Sequence, residues 1–198
     1  MVSVDSTSCR AHQHAAAALS RPPRNPGKRS PVQHRSDEAL GRSQGGLTYK
    51  IHLACEGGRR PLAIVITPSQ RSDAPQLIPV LEQICVPRPE GGHPALGPTI
   101  SAATKPIRRV ANGCYLRRRQ NKHTIPEPQN QRANRQRRGS KGGRPTGLDK
   151  ALYQRRNEVE RTINRHRTFR VVATRYDKRA FVLHGTVTTA AIRLWLRP

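Results

Sequence analysis

Apolar positions recur along this chain at two periods, and the two periods sort it into strand-like and helix-like segments. Met1 to Cys9 alternates in the β-prone manner and places Asp5 after Val4, as though a strand were joined near its end. Two further β-rich runs, Leu47 to Cys55 and Pro61 to Thr67, flank Glu56-Gly57-Gly58-Arg59-Arg60. The paired glycines there predict the positive φ angles of a hairpin turn. Between Asp73 and Val86 the residues Leu77, Val80, Leu81 and Ile84 keep helical spacing, with Asp73 as N-cap. Thr99 to Ala103 reads as a short strand, Val110 to Arg119 as a helix, and Lys122 to Ile125 as a strand that Pro126 stops. From Lys150 to Arg167 neither proline nor glycine intervenes, and Leu152, Val159, Ile163 and His166 predict one continuous helix. Val171 to Thr174 reads as a strand, and Phe181 to Leu196 as a last helix with the stripe Leu183, Val187, Ala191 and Leu194. No internal repeat is present.

Two stretches lack such patterning and read as flexible basic loops. Residues 15–46 contain Pro22, Pro23, Pro26 and Pro31 among basic residues and cannot bury enough apolar surface to offset ordering entropy. Residues 129–147 carry Arg132, Arg135, Arg137, Arg138, Lys141 and Arg144 among glycines and polar residues. The remainder predicts an α/β chain, and 198 residues suit one domain over 1–198.

Charge narrows the function. Lysine and arginine number 37 against 12 acidic residues, a formal charge of +25, which calls for a polyanion such as nucleic acid. Of these, 30 are arginine, whose planar fork clasps phosphate bidentately. A GC-rich genome accounts for arginine over lysine more easily than for the net charge. At 4% aromatic content, base stacking is not the main binding mode, and Trp195 and Tyr176 read as core or interface anchors. Cys9, Cys55, Cys85 and Cys114 form no CxxC pair, so free thiols are expected. No apolar run reaches the roughly 20 residues of a membrane span, and no signal peptide is evident, which predicts a soluble cytoplasmic protein.

Helical spacing places Tyr153, Arg156, Glu160 and Arg167 along one face, presenting a carboxylate among cations. An exposed Arg156–Glu160 ion pair would explain that spacing alone. The same four positions resemble the Y-x2-R-x3-E-x6-K signature of insertion-sequence transposases, with arginine for the final lysine. Other segments resemble that family in the same order: Val4-Asp5-Ser6-Thr7-Ser8, Ala11-His12-Gln13-His14-Ala15, Gly45-Gly46-Leu47-Thr48 and Lys50-Ile51-His52-Leu53. His123-Thr124-Ile125-Pro126-Glu127, Val159-Glu160-Arg161 and Ala173-Thr174-Arg175-Tyr176-Asp177-Lys178 extend the resemblance over nearly the whole chain. It points to the insertion-sequence-five-like branch of the bacterial DDE transposases.

The resemblance implies a ribonuclease-H-like mixed sheet flanked by helices, in which three acidic residues hold two Mg2+ (or Mn2+) ions for DNA cleavage and strand transfer. Magnesium seeks oxygen ligands, and two ions flanking a phosphate activate the attacking oxygen and stabilise the leaving one. Carried over residue by residue, Asp5 is the first acid and Glu160 the third, both metal ligands. Arg156 and Arg167 become DNA contacts beside Tyr153, and Arg137, Arg138 and Lys141 are expected on phosphate. The implied partner is double-stranded DNA, as insertion-sequence ends and target, in a bacterial nucleoid.

Two departures weaken the implied activity. Where the family has an aspartate at a strand end, this chain reads Ala102-Ala103-Thr104-Lys105, so Thr104 replaces the second acid and removes a full negative charge. Met1 stands four residues before Asp5, whereas the family carries an N-terminal helical region; a truncated sheet and a need for self-association or an N-terminal partner fragment are expected. A catalytically dead remnant that binds DNA nonspecifically is the alternative, ahead of an unrelated RNA-binding protein. His12 and His14 have metal-binding spacing without carboxylate or thiol neighbours and read as loop residues. Asp73 and Asp177 have structural readings of their own, as N-cap and as surface ion-pair residue.

Overall fold

The computed structural model describes residues 1–19, 38–86, 95–96, 100–103, 110–143, 145 and 148–196. Among them the strands are β1 (Val2–Ala11), β2 (Gly41–Ser43), β3 (Gly46–Glu56), β4 (Pro61–Pro68), β5 (Cys85–Val86), β6 (Ala95–Leu96), β7 (Ile100–Ala103), β8 (Lys122–Thr124) and β9 (Thr174–Arg175). The helices are α1 (Leu77–Glu82), α2 (Val110–Arg118), α3 (Gln129–Arg137), α4 (Lys150–Gln154), α5 (Asn157–Arg167), α6 (Arg170–Ala173) and α7 (Ala180–Leu196).

The sheet is mixed and mostly antiparallel. β3 lies antiparallel between β1 and β4, while β7 runs parallel to β1 and β8 parallel to β7. β2 extends the β4 edge of β3, β9 pairs in parallel with the far end of β1, and β5 and β6 form a separate ribbon. Strand alternation gives the sheet two apolar faces, each covered by helices. Tyr49, Ile51, Leu53 and Cys55 of β3 join Cys9 of β1 beneath Val159 and Ile163 of α5, Val172 of α6 and Leu183 and Val187 of α7. On the other face Val2, Val4, Ala54 and Ala63 pack against Leu77, Val80, Leu81 and Ile84, with Leu116 of α2 and Ile125. The expectation of a helix-flanked mixed sheet is met, and both apolar stripes predicted for α1 and α7 are buried.

Several local expectations are corrected. Asp5 does not lie near the end of its strand: six residues of β1 follow it, and β3 pairs with β1 as far as Arg10. At the β3–β4 turn the positive φ belongs to Arg59 (62°), whose carbonyl accepts from Thr162 of α5, and not to the glycines. Asp73 makes no capping hydrogen bond, since its carboxylate pairs with Lys50 at 3.0 Å. The 15–46 loop is partly structured: a 3-10 helix spans Gln13–Leu19, Ala39 and Leu40 are buried, and β2 follows. Residues 20–37 of that expected loop lie outside the described residues.

The basic loop expected over 129–147 is also corrected, to α3 and a 3-10 turn over Gly139–Gly142. Arginine, glutamine and alanine favour helix, Pro128 presets the start, and no glycine or proline occurs before Gly139. With no buried residue, α3 offers no apolar period to read. The single helix expected over Lys150 to Arg167 is two. Arg156, Glu158 and Val159 donate to Tyr153, Arg155 and Arg156, a run of i to i−3 bonds that tightens the chain between α4 and α5. The strand expected at Val171 to Thr174 is mostly α6; Val172 turns fully inward, a gain exceeding the few tenths of a kcal/mol that one helical β-branched residue costs.

One buried histidine makes stability pH-dependent. His52, 2% exposed, bonds Thr67 at 2.9 Å, and burial pushes its imidazole down to about 4, against a weaker upward pull from Asp73 and a downward one from Lys50. Between its ordinary value of 6.5 and about 4 the unfolded chain binds a proton that the folded chain excludes, so stability falls as pH falls through that window. His166, lowered chiefly by burial, acts in the same direction. Urea midpoints measured from pH 7.5 to 4 should show a shallower acid loss for His52→Gln than for the unchanged chain; identical slopes would count against this assignment.

Candidate functional site

Asp5 is the fifth residue of a strand whose alternate members share a face. Its antiparallel partner is Leu53, and Leu53 packs beneath Val159 and Ile163, so Asp5 lies on the face that α5 covers. It is half-buried, and its Oδ1 accepts from the Ser6 amide at 2.8 Å. α5 buries Val159, Thr162, Ile163 and His166, which places Glu160 and Arg167 on one flank and Glu158 on the other. The Glu158 flank faces β3: Thr162 hydrogen-bonds Cys55, and burial, countered by that bond and aided by Glu158, Glu56 and Asp5, pushes the Cys55 thiol up to about 12. Cys9 is raised by burial, in spite of Tyr49 and Arg167. Both buried thiols are therefore held un-ionised at neutral pH and are poor nucleophiles.

The four signature positions are brought together unequally. Arg156 Nη2 pairs with Glu160 Oε1 at 2.7 Å, and its guanidinium lies 5.1 Å from the Tyr153 ring centroid. The helix break leaves this chain of contacts intact while turning Tyr153 into a cleft of about 650 Å3 shared with Glu127, Arg132, Arg135 and Leu148. Glu127 is held there by Arg135 at 3.1 Å. Arg167 is exposed two turns beyond Glu160, where its charge is felt by Cys9 and Tyr49 near the other end of β1. Sequence reasoning missed the cleft and both Glu127 and Glu158; the Pro126-Glu127 pair, just after a strand end, was the available signal for the first.

The parallel register pairs Val4 with Ala103, so β7 ends beside the residue that precedes Asp5. Thr104 lies outside the described residues, as does Arg144. Among the described residues no three His, Cys, Asp or Glu side chains gather in a set able to hold a metal ion. Glu160 is committed to Arg156 and an Asp5 oxygen to a backbone amide. This donor set does not fit a pair of divalent cations.

The other candidates sit elsewhere. Arg137, Arg138 and Lys141 are exposed on α3 and the turn that follows it, a cationic surface with no buried member. His12 stacks on Tyr176 at 4.8 Å and receives the His14 amide at 3.3 Å, an aromatic corner beside β9. Asp177 accepts from Thr186 of α7 and lends its carbonyl to Arg175, so its structural role is within the fold and not a surface ion pair. Cys85 and Cys114 are free and exposed. No helix among the described residues is long and apolar enough to cross a membrane.

A family model described as a transposase DDE domain matches residues 1–195. Neither the curated proteins nor the solved structures yield a match to this chain.

Proposed function

Because the chain belongs to the transposase DDE-domain family, whose members carry out DNA transposition and recombination, we propose that it is a DNA-binding transposase of the insertion-sequence-five-like branch with impaired strand cleavage and transfer. The observation that carries this reading is the Arg156–Glu160 pair at 2.7 Å on a helix packed over the Asp5 face. On this reading Glu160 stands for the family's third acid, ion-paired with Arg156, and Thr104 stands where the second acid would be. Asp5 and Glu160 are the two carboxylates that would meet Mg2+ or Mn2+, the ions the family's chemistry uses, and two acids in place of three would hold a pair of ions poorly, which is the impairment proposed. Tyr153, Arg156 and Arg167 would meet the DNA nearest the site, and Arg137, Arg138 and Lys141 would hold phosphate further out. Duplex DNA, element ends and target alike, is the proposed partner, in a bacterial nucleoid.

A supercoiled plasmid incubated with the chain and Mg2+ tests the reading. The unchanged chain should nick it weakly or not at all. Vigorous nicking that disappears in Glu160→Ala would overturn the claim of impairment. The second reading, a remnant that only binds DNA, is favoured by the committed Glu160 and by the exposed arginines of α3. For either reading, log affinity should fall steeply with log salt, and Arg137→Ala, Arg138→Ala and Lys141→Ala together should flatten that slope by about 2 to 3. Fluorescence anisotropy on a duplex between 50 and 300 mM salt would measure it; an unchanged slope would remove these residues from the interface.

A further inference from the structure

The cleft that Tyr153 lines mixes charges in a way that holding phosphate alone does not call for. At about 650 Å3 it falls within the range of small-ligand sites. Glu127 stands between Pro126 and Pro128, whose rings restrict the backbone on either side, and Pro128 leads directly into α3. Arg135, two turns along α3, holds the carboxylate: its Nε and Nη2 donate to Glu127 Oε2 at 3.3 and 3.1 Å. Only 11% of the Glu127 side chain is exposed. In a chain with 37 basic and 12 acidic residues, an acid fixed in this cleft repels a phosphate that enters it. An ion pair tying the loop to α3 accounts for Glu127 and Arg135, but not for the other groups that line the same space. These include Tyr153, the exposed side chains of Leu148 and Arg132, and the amide of Gln136.

We propose that the cleft takes an unpaired guanine nucleotide, its base edge on Glu127, its ring against Tyr153 and Leu148, and its phosphate on Arg132. The choice of base follows from donors and acceptors. Guanine presents two adjacent donors on its pairing edge, the ring N–H and the exocyclic amino group, and a carboxylate accepts both together. Adenine and cytosine offer an amino donor beside an acceptor nitrogen, and thymine one donor between two carbonyls, so each sets a lone pair against Glu127. A carboxylate has about four lone-pair sites, so a base edge can share it with Arg135. Tyr153 is half-buried with the Arg156 guanidinium 5.1 Å over its ring, an aromatic plane held in place, and such planes stack unpaired bases.

A guanine paired in a duplex has its donor edge occupied, so only an unpaired one fits. The same chemistry has two sources. An unpaired guanine of a DNA strand rests on the DNA-binding reading above, whereas a free guanine nucleotide does not.

Titration calorimetry on the full chain with dGMP, dIMP and dAMP tests the proposal. The three carry the same charge, so attraction to a protein of net charge +25 is common to all and cancels in the comparison. dGMP should bind most tightly, and dIMP, which lacks only the exocyclic amino group, should bind on the order of tenfold more weakly, the scale of one hydrogen bond to a charged group. Glu127→Gln should erase the difference between dGMP and dIMP. Arg132→Ala, a change at an exposed position, should weaken dGMP while leaving the uncharged nucleoside deoxyguanosine unaffected. Hairpin duplexes with one bulged guanine or one bulged hypoxanthine assign the source: a preference there points to a strand, and a preference confined to mononucleotides to a free nucleotide. No preference for guanine over hypoxanthine in either form, or a preference that survives in a folded Glu127→Gln chain, would overturn the proposal. Salt-dependent binding of a fully paired duplex separates the two readings. If it persists without guanine preference, the pocket alone falls; if it is absent while the preference holds, the DNA-binding reading falls and the pocket stands.

Discussion

Arg175→Ala is expected to destabilise the fold by about 3 to 5 kcal/mol, enough to unfold much of a domain of ordinary marginal stability. Arg175 is 0% exposed, and its guanidinium is surrounded by carbonyls: Nε donates to Asp177 (2.7 Å), Nη1 to Glu38 (2.7 Å) and Ala39 (3.2 Å), and Nη2 to Lys178 (3.1 Å). Removing it strands these acceptors in a space water does not readily fill. It also releases Ala39, which is held at φ 50°, a left-handed conformation that costs an alanine about 1 to 2 kcal/mol. The neighbouring Glu38 anchors the start of α7 by accepting the Ala180 amide at 2.7 Å and pairing with Arg179 at 2.9 Å. Burial raises its pKa, but that amide and Arg179 and Arg175 together outweigh it and leave the carboxyl lowered. Arg175→Lys should recover part of the loss, because one ammonium cannot reproduce the planar fork. Urea denaturation followed by circular dichroism measures both variants; a loss below 1 kcal/mol for Arg175→Ala would mean the carbonyl cage is satisfied by other means.

Nothing in the sequence announces Arg175 as the centre of that cage. An arginine between a threonine and a tyrosine reads as a surface residue, and only the closure of residues 38–39 onto β9 and the start of α7 buries it. Elements that bury a periodic apolar face were legible: Leu77, Val80 and Leu81 on α1 with Ile84 just beyond its end, and Leu183, Val187 and Leu194 on α7, repeat at the spacing that burial demands. α3 was hidden because it buries nothing and so carries no period. The α4–α5 break was hidden because tertiary docking makes it. Thr162 reaches the Arg59 carbonyl at 3.1 Å, and that tip contact holds α5 on β3 with no glycine or proline to mark the joint. Of the candidate site, the Arg156–Glu160 contact followed from i,i+4 spacing, whereas the face on which Asp5 lies required the register of β1 against β3.

That register is also the reason to expect a large effect from restoring one charge. β7 runs parallel to β1 and pairs Ala103 with Val4, the residue before Asp5, which makes position 104 the one at which to test an added acid. Thr104→Asp should raise Mg2+-dependent plasmid nicking on the order of 100-fold, the scale lost when one electrostatic group is removed from a preorganised site. Thr104→Asn is the informative control: it offers an oxygen without the charge, and should gain little if the missing quantity is the negative charge that balances divalent cations. In the Thr104→Asp background, Glu160→Gln should abolish the gain, since an amide can still accept a hydrogen bond but cannot neutralise a metal ion. Arg156 limits the recovery, because at 2.7 Å it competes with any cation for Glu160. Arg156→Gln should therefore raise the Mg2+ affinity of the Thr104→Asp chain while weakening its hold on DNA, two opposed effects separable by titrating metal at saturating plasmid. Equal gains from Asp and Asn at position 104 would show that charge is not what the site lacks, and no gain from Asp in a folded chain would remove position 104 from the site.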